Sequence, residues 1–257
     1  MEEAAEVFEA HIMTSLSLKT SHVILIGDHE QLRPSPAVHA LDTQYNLSMS
    51  MFERLIKNKV EHSTLATQRR MRPEIAQIMN FIYPDLKNHE SVSTFPEVKG
   101  ISKNLFFFDH EWKEESNDFM LSKANTKEAE MVVRFTWYIL QQKQYTGKQI
   151  TILTLYSGQL LKIKNLIKKN KVYMEKMREI RVVNVDNYQG EENDIILLSL
   201  VRSNDSGQIG FLKTSNRVCV ALSRAKHGLY IFGNSKCLIG SKKLELWVKV
   251  IQHLKDN

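Results

Sequence analysis

The amino-acid sequence predicts an α/β protein, a parallel sheet with helices on both faces. Two observations lead there. The apolar runs "QITILTLY" (149–156), "IRVVNV" (180–185), "DIILLSLV" (194–201) and "GLYIFG" (228–233) have the length and Ile/Leu/Val content of strands buried on both faces. Segments with helical spacing of apolar residues lie between them, so strand and helix alternate along the chain. The 257 residues, 42% hydrophobic and 25% charged, suit one large domain or parts of two, with a core that needs no staples.

The elements follow in order. From Glu2 to Leu16, the residues Ala5, Phe8, Ile12 and Leu16 recur at helical spacing. "SHVILIG" (21–27) reads as a short buried strand closed by glycine. "DHEQLRPSP" follows as a loop in which Pro34 and Pro36 block a helix. Ser50–Asn58 is a helix and "TLATQ" (64–68) a short strand. Pro73 suits the first turn of a helix that runs to about Tyr83 and stops at Pro84. "NLFFFDH" (104–110) is a strand, Asn125–Gln144 a long amphipathic helix and Ser157–Asn170 another. Asn216–Lys226 is a helix, and Lys236–Leu254 is mostly helix. Two polar stretches, Pro84–Asn104 and Asp109–Asn125, read as surface excursions. Ligands of such sheets collect at the carboxyl ends of the strands, and the loops after Gly27, Val185 and Val201 all follow expected strands.

The bulk chemistry narrows the function. A formal charge of +6 and an isoelectric point near 9.1 make nucleic acid, or another polyanion, the first partner to consider. Cys219 and Cys237 form no CxxC, which speaks against a disulfide framework or a zinc site and for reduced thiols in the cytosol or nucleus. No run reaches 18 apolar residues, so no membrane span is expected, and the first residues are acidic, unlike a signal peptide.

Four stretches carry candidate chemistry. In "GDHEQLRP" (27–34), Gln31 can donate to a phosphate oxygen and accept from a water; a plain polar turn has the same composition. "QRRMRP" (68–73) places three arginines before a helix, where guanidinium groups meet the wrong end of the dipole and an anion between them would relieve the mismatch. "DNYQGEENDIILLSLVRS" (186–203) sets Asp186, Glu191, Glu192 and Asp194, with one glycine, at the mouth of a buried strand. "VALSRAK" (220–226) puts a cationic pair on a helix with little solvent face. Gln31, Arg70 and Arg224 converging on one polyanion, with Glu192 beside them, would be the set that triphosphate hydrolysis needs.

With "TLYSGQ" (154–159) and "NRVCVALSRAK" (216–226) added, these motifs resemble in order and spacing the late motifs of superfamily 1 helicases of the Upf-like group. The resemblance spans nearly the whole chain. It implies a RecA-like fold of the P-loop NTPase type, with residues 1–66 the C-terminal remnant of a first RecA-like domain and 67–257 a second. It implies ATP and Mg²⁺ as cofactors and single-stranded RNA as partner. Glu2 would hold Mg²⁺ and Glu3 orient the attacking water. Gln31 would sense the phosphate, and Arg70 and Arg224 would reach the γ-phosphate. Glu192 would contact the nucleotide; Gln189 and Gly190 would link nucleotide to nucleic acid. Thr154 and Tyr156 would track the nucleic-acid backbone.

The sequence departs from that pattern in one large way. It contains no G-x-x-x-x-G-K-[ST]; Gly147-Lys148 is followed by Gln149. The expectation is therefore a C-terminal motor portion of a longer helicase, inactive alone. Smaller departures are Glu2 where Asp is usual and Arg69 where an aromatic or His is common, which puts base stacking there in doubt. From Gln141 to Arg181 ten Lys/Arg face only Glu175 and Glu179, and Lys162, Lys164, Lys168 and Lys169 are candidates for backbone contact or for an ordinary solvated face. Two other classes stay open: a non-catalytic RNA-binding or partner-binding module, and a metal-dependent nuclease using Asp186, Glu191, Glu192 and Asp194.

Overall fold

The computed structural model describes residues 1–115, 122–240 and 245–256. The chain divides into two compact units, Met1–Leu65 and Ala66–Asn257. The first holds three short helices: α1 (Glu9–Ser15), α2 (His39–Tyr45) and α3 (Met51–Lys57). Ser50 caps α3 by accepting from the Glu53 N–H. Arg54 of α3 grips Glu9 of α1 through two parallel hydrogen bonds, 2.9 and 2.7 Å. Glu53, buried, takes both Arg33 and Lys57.

"SHVILIG" does not form the expected buried strand. Its backbone pairs with the first residues of the chain: the Ile26 N–H donates to Met1 O, and the Ala4 N–H donates to Ile26 O, both at 2.9 Å. Ile24 stays 70% exposed and Ile26 55%. An apolar run becomes a buried strand only where neighbours flank it, and this one has a single short partner. Gly27 is needed for the close approach, since a Cβ there would lie 2.9 Å from the Ala5 nitrogen. The helix expected from Glu2 shortens to α1.

The second unit is the parallel α/β structure that the sequence predicts. A two-stranded parallel pair, β1 (Thr67–Gln68) with β2 (Lys87–Asn88), flanks α4 (Pro73–Met79). The main sheet follows: β3 (Leu105–Asp109), α5 (Thr126–Gln141), β4 (Ile150–Thr154), α6 (Ser157–Lys169), α7 (Lys171–Lys176), β5 (Arg181–Asn184), β6 (Asn193–Ser199), α8 (Ser215–Leu222), β7 (Ala225–Gly233), α9 (Ser235–Gly240) and α10 (Glu245–Asp256). All five strands run parallel in the order β3-β7-β6-β4-β5. One face of the sheet, with Ile150, Ile152, Ile195 and Leu197, packs under Ala129, Val132 and Val133 of α5 and Ile163 of α6. Ile196, Leu198, Leu229 and Ile231 alternate with them and are also fully buried, which is why these strands read as continuous apolar runs.

Two helices end earlier than the sequence predicts. The helix begun by Pro73 stops at Met79 rather than Tyr83. The expected Asn216–Lys226 helix ends at Leu222, and Arg224 and Lys226 fall in the turn and the start of β7. Of the expected Lys236–Leu254 helix, α9 as far as Gly240 and α10 from Glu245 are described; residues 241–244 lie outside the described residues. In the stretch Asp109–Asn125, residues 116–121 lie outside them too, but the rest is no plain surface excursion, since Asn125 is fully buried and Glu115 bridges Ala124. Among the described residues no helix is long and apolar enough to cross a membrane.

One buried carboxylate organises the carboxyl end of the sheet. Glu128, in the first turn of α5, has no exposed surface. Its Oε1 accepts from the Ser199 hydroxyl and from the Val201 N–H at 2.9 Å, and its Oε2 from His110 Nε2 at 2.8 Å. Asn125 caps the same helix by accepting from the Glu128 N–H. Gln159 of α6 closes the set, donating to Ser199 Oγ and accepting from the Asn125 N–H. Held this way, Val201 takes φ = +70°, a region that β-branched residues rarely enter, and Arg202 N–H closes on Leu200 O at 2.7 Å. Glu128→Ala strands three donors in the interior, and should lower unfolding stability by about 3 kcal/mol or more. Lys168→Ala, on an exposed face, should stay within about 0.5 kcal/mol. Urea unfolding curves compare the two; equal midpoints would refute the role given to Glu128.

Candidate functional site

The candidate residues of the second unit sort to two ends of the sheet. Glu192 immediately precedes β6 and Arg224 immediately precedes β7, so this group sits at the amino ends, not at the carboxyl ends expected of such sheets. Arg70 reaches in from the loop before α4. Its Nε lies 2.5 Å from Glu192 Oε2, and its Nη1 donates to Ser223 O at 3.1 Å. Lys226 takes the other Glu192 oxygen at 2.8 Å. Burial alone would raise the Glu192 carboxyl, but hydrogen bonds from Lys226 and Arg70, with their charges, outweigh it and hold the group below the usual carboxylate range.

Arg224 is only 1% exposed. Its guanidinium donates to Val220 O, to Ser223 Oγ and, at 3.4 Å, to Glu191 O. Arg70, Glu192 and Arg224 are thus brought together around the Ser223 turn. Gln31 belongs to the first unit, where its Nε2 donates to Asp28 Oδ2 at 2.8 Å.

The loop that carries Arg70 is built locally. Gln68 Oε1 accepts from the N–H groups of Arg70 and Met71, and its Nε2 donates to Met71 O. The three arginines have three fates. Arg69 is exposed and Arg70 half-buried. Arg72 is buried, donating to Pro96 O, His227 O and Glu97, with Glu74 beside it. Carboxylates thus supply the anion that the helix-end arginines call for.

The four carboxylates of the 186–194 stretch go to four places. Asp186 pairs with Arg217, Glu191 with Arg181, Glu192 with Arg70 and Lys226, and Asp194 accepts from Gln149. Gly190 has φ = +73°, so the turn itself demands glycine. Gln189, beside it, is half-buried.

At the carboxyl end, Thr154 and Tyr156 are buried rather than presented to solvent. The Tyr156 hydroxyl donates to Ile209 O and accepts from the Phe211 N–H, both at 3.1 Å. Arg202 stands 5.9 Å from the Tyr156 ring centroid and donates to Glu114 Oε2, which also accepts from the Ser203 N–H and Asn204. Lys226 was read with Arg224 as a cationic pair but given no role, and Arg202 lay inside a quoted motif without one; an acid in a polar stretch such as Glu114 gives no signal.

The lysines do not join Thr154 and Tyr156. Lys162 is spent on Glu115, at 2.5 Å, and Thr126. Lys164, Lys168 and Lys169 are exposed, but Lys168 stands eleven residues along α6 from Ser157, about 17 Å at 1.5 Å per residue.

Cations outnumber carboxylates at the amino-end cluster, a donor set that fits a polyphosphate. Mg²⁺ does not fit the residues present. Glu2 and Glu3 are exposed, one glutamate gives the ion one ligand, and among the described residues no group of three or more His, Cys, Asp or Glu could hold a metal.

A five-stranded parallel sheet with helices on both faces and arginines gathered at one end defines the class: a RecA-like α/β domain. Residues 47–236 match the model of the AAA domain family, and the chain belongs to that family, within the superfamily 1 Upf-like helicases. Over its whole length it is 49% identical to NFX1-type zinc finger-containing protein 1 of Mus musculus, of which it spans 13%. It is 42% identical to the Helicase required for RNAi-mediated heterochromatin assembly 1 of Schizosaccharomyces pombe, spanning 25% of it. It is 34% identical to Regulator of nonsense transcripts 1 of Dictyostelium discoideum, spanning 20%.

The buried Glu114–Arg202 pair predicts a pH dependence. Burial alone would raise the Glu114 carboxyl, but hydrogen bonds from Arg202, Asn204 and the Ser203 N–H, with the Arg202 charge, hold it below the usual range. A carboxyl lowered by folding adds stability above its unfolded value and loses it as pH falls through the folded one. The urea midpoint should therefore drop below about pH 5, and Glu114→Gln should flatten that drop while lowering the midpoint at pH 7. Superimposable pH profiles for parent and variant would sink this assignment.

Proposed function

We propose that this chain is the C-terminal motor portion of an ATP-dependent superfamily 1 RNA helicase. Membership of a helicase family motivates the reading, and one observation supports it most. Arg70, Lys226 and Arg224 gather about Ser223 and Glu192, with Glu191 drawn off by Arg181, which leaves an excess of positive charge suited to a polyphosphate.

In this reading Arg70 and Arg224 act on the γ-phosphate, and Glu192 and Gly190 border the nucleotide. Arg224 leaves its contacts with Ser223 Oγ and Glu191 O to do so. Gln31 senses the phosphate by releasing Asp28. Gln189 joins the nucleotide side to the nucleic acid. Thr154 and Tyr156 act by fixing the strand-end loops along which single-stranded RNA passes. Lys168 contacts the RNA backbone; Lys162 contributes only on leaving Glu115.

The absence of G-x-x-x-x-G-K-[ST] from the 257 residues favours a second reading for the chain on its own, a non-catalytic RNA-binding or partner-binding module. The dispersal of Asp186, Glu191, Glu192 and Asp194 onto separate partners disfavours a metal-dependent nuclease.

The isolated chain should release almost no phosphate from ATP, with or without single-stranded RNA, because it lacks the amides and lysine that cradle the phosphates. Robust turnover would overturn this reading. In a protein that also carries a phosphate-cradling loop, Arg224→Ala should cut hydrolysis by roughly 10³–10⁵ while RNA binding stays near the parent's. A loss of less than about tenfold, with folding intact by circular dichroism, would make Arg224 a structural residue.

A further inference from the structure

Both oxygens of Glu192 are engaged, each by a different cation. Oε2 accepts from Arg70 Nε at 2.5 Å, and Oε1 lies 2.8 Å from Lys226 Nζ. The two cations come from distant parts of the chain, the loop before α4 and the start of β7. Two such cations repel each other when brought together, and an anion between them removes the repulsion. A carboxylate and a phosphate offer the same thing to those donors, a pair of anionic oxygens. Glu192 thus sits on Arg70 and Lys226 as the edge of a phosphate would.

Two features let this contact open. The side chains of Arg70, Lys226 and Glu192 are 29%, 32% and 37% exposed, and ion pairs that solvent reaches are weak. The backbone around the carboxylate is anchored, so the side chain can turn alone. The Asn193 N–H donates to Arg224 O at 3.1 Å, and the Asn193 side chain donates to Lys148 O and Thr151 Oγ1. Rotation about the Glu192 side-chain bonds therefore frees both cations while β6 stays in place. The neighbouring Glu191 does not share this position; it pairs with Arg181 at the start of β5.

We propose that Glu192 is a built-in competitor of the polyphosphate: it holds the position between Arg70 and Lys226 until the ligand displaces it, and so sets the affinity of the cluster. The inference rests on the polyphosphate reading above and deepens it by naming what the ligand must displace. The internal anion keeps two like charges together in one geometry. It also lowers the apparent affinity, because the cluster accepts a phosphate only in the fraction of molecules whose carboxylate has turned away.

The test titrates the full chain with inorganic tripolyphosphate by calorimetry. Glu192→Gln removes the charge and keeps the shape, and should tighten binding by roughly fivefold or more. Glu191→Gln, the same charge change one residue away, should tighten it far less. Arg70→Ala gives an independent measure: its loss of affinity should be larger in the Glu192→Gln background than in the parent, because there Arg70 no longer exchanges one anion for another. Glu192→Ala makes the same comparisons if circular dichroism shows Glu192→Gln misfolded. If the Glu192 variant binds no tighter than the parent, if Glu191→Gln tightens binding as much, or if the Arg70→Ala loss is equal in both backgrounds, the competitor is refuted, while tripolyphosphate binding that Arg70→Ala weakens keeps the polyphosphate reading. If neither the parent nor the Glu192 variant binds tripolyphosphate, both fall.

Discussion

Glu128 brings a carboxylate into a place with no water and answers it with protein groups alone. Desolvating such a group costs several kcal/mol unless hydrogen bonds replace the lost hydration. Here the replacements come from the end of β6, the residue after β3 and the turn at Val201, so one side chain joins three parts of the fold. Gln159 and Asn125 extend the network to α6 and the α5 cap. Val201, at φ = +70°, centres a tight turn that the Arg202 N–H closes on Leu200 O, and its own N–H donates to Glu128. From there Arg202 is aimed at Tyr156 and Glu114, and Tyr156 in turn fixes the Ile209–Phe211 turn.

The sheet has two chemically different ends. At the carboxyl end Glu128, Ser199, His110 and Gln159 pair with one another, and Arg202 lies against the Tyr156 ring. The amino end gathers charge, and Arg70 and Lys226 share the partly exposed Glu192 carboxylate, whereas Arg181 pairs with Glu191. Parallel α/β sheets usually take ligands at the carboxyl end. In this unit the cationic candidates lie opposite, because Glu192 and Arg224 come just before their strands.

The central strands β4, β6 and β7 were legible because they are buried on both faces and read as near-continuous apolar runs; the edge strands β3 and β5 are only partly covered and were legible from their Leu/Phe and Val content. The same signal misled at "SHVILIG", since composition shows that a segment can be buried but not whether neighbours cover it. Arg70, Glu192 and Arg224 could be named from motifs, but not their surroundings. That Arg224 lies in a turn rather than on a helix depends on where α8 ends, and the sequence around Ser223 has no strong stop. Lys162 and Lys168 look alike in the sequence; only the approach of Glu115 separates them. Glu114 and Glu128 were invisible as functional acids, because a carboxylate in a polar loop or on an amphipathic helix is ordinarily solvated.

The loop of Arg70 is fastened to the sheet more firmly than its length suggests. The Arg72 N–H donates to Lys226 O, its side chain donates to His227 O, and Arg70 itself donates to Ser223 O. Those acceptors flank Arg224 on the β7 side and the α8 side. The two arginines, 154 residues apart in sequence, are therefore mounted on one stiff bracket. Both guanidiniums are thereby tied through hydrogen bonds to the turn before β7, the strand between β3 and β6, and to the first residues of β7, rather than to a free loop.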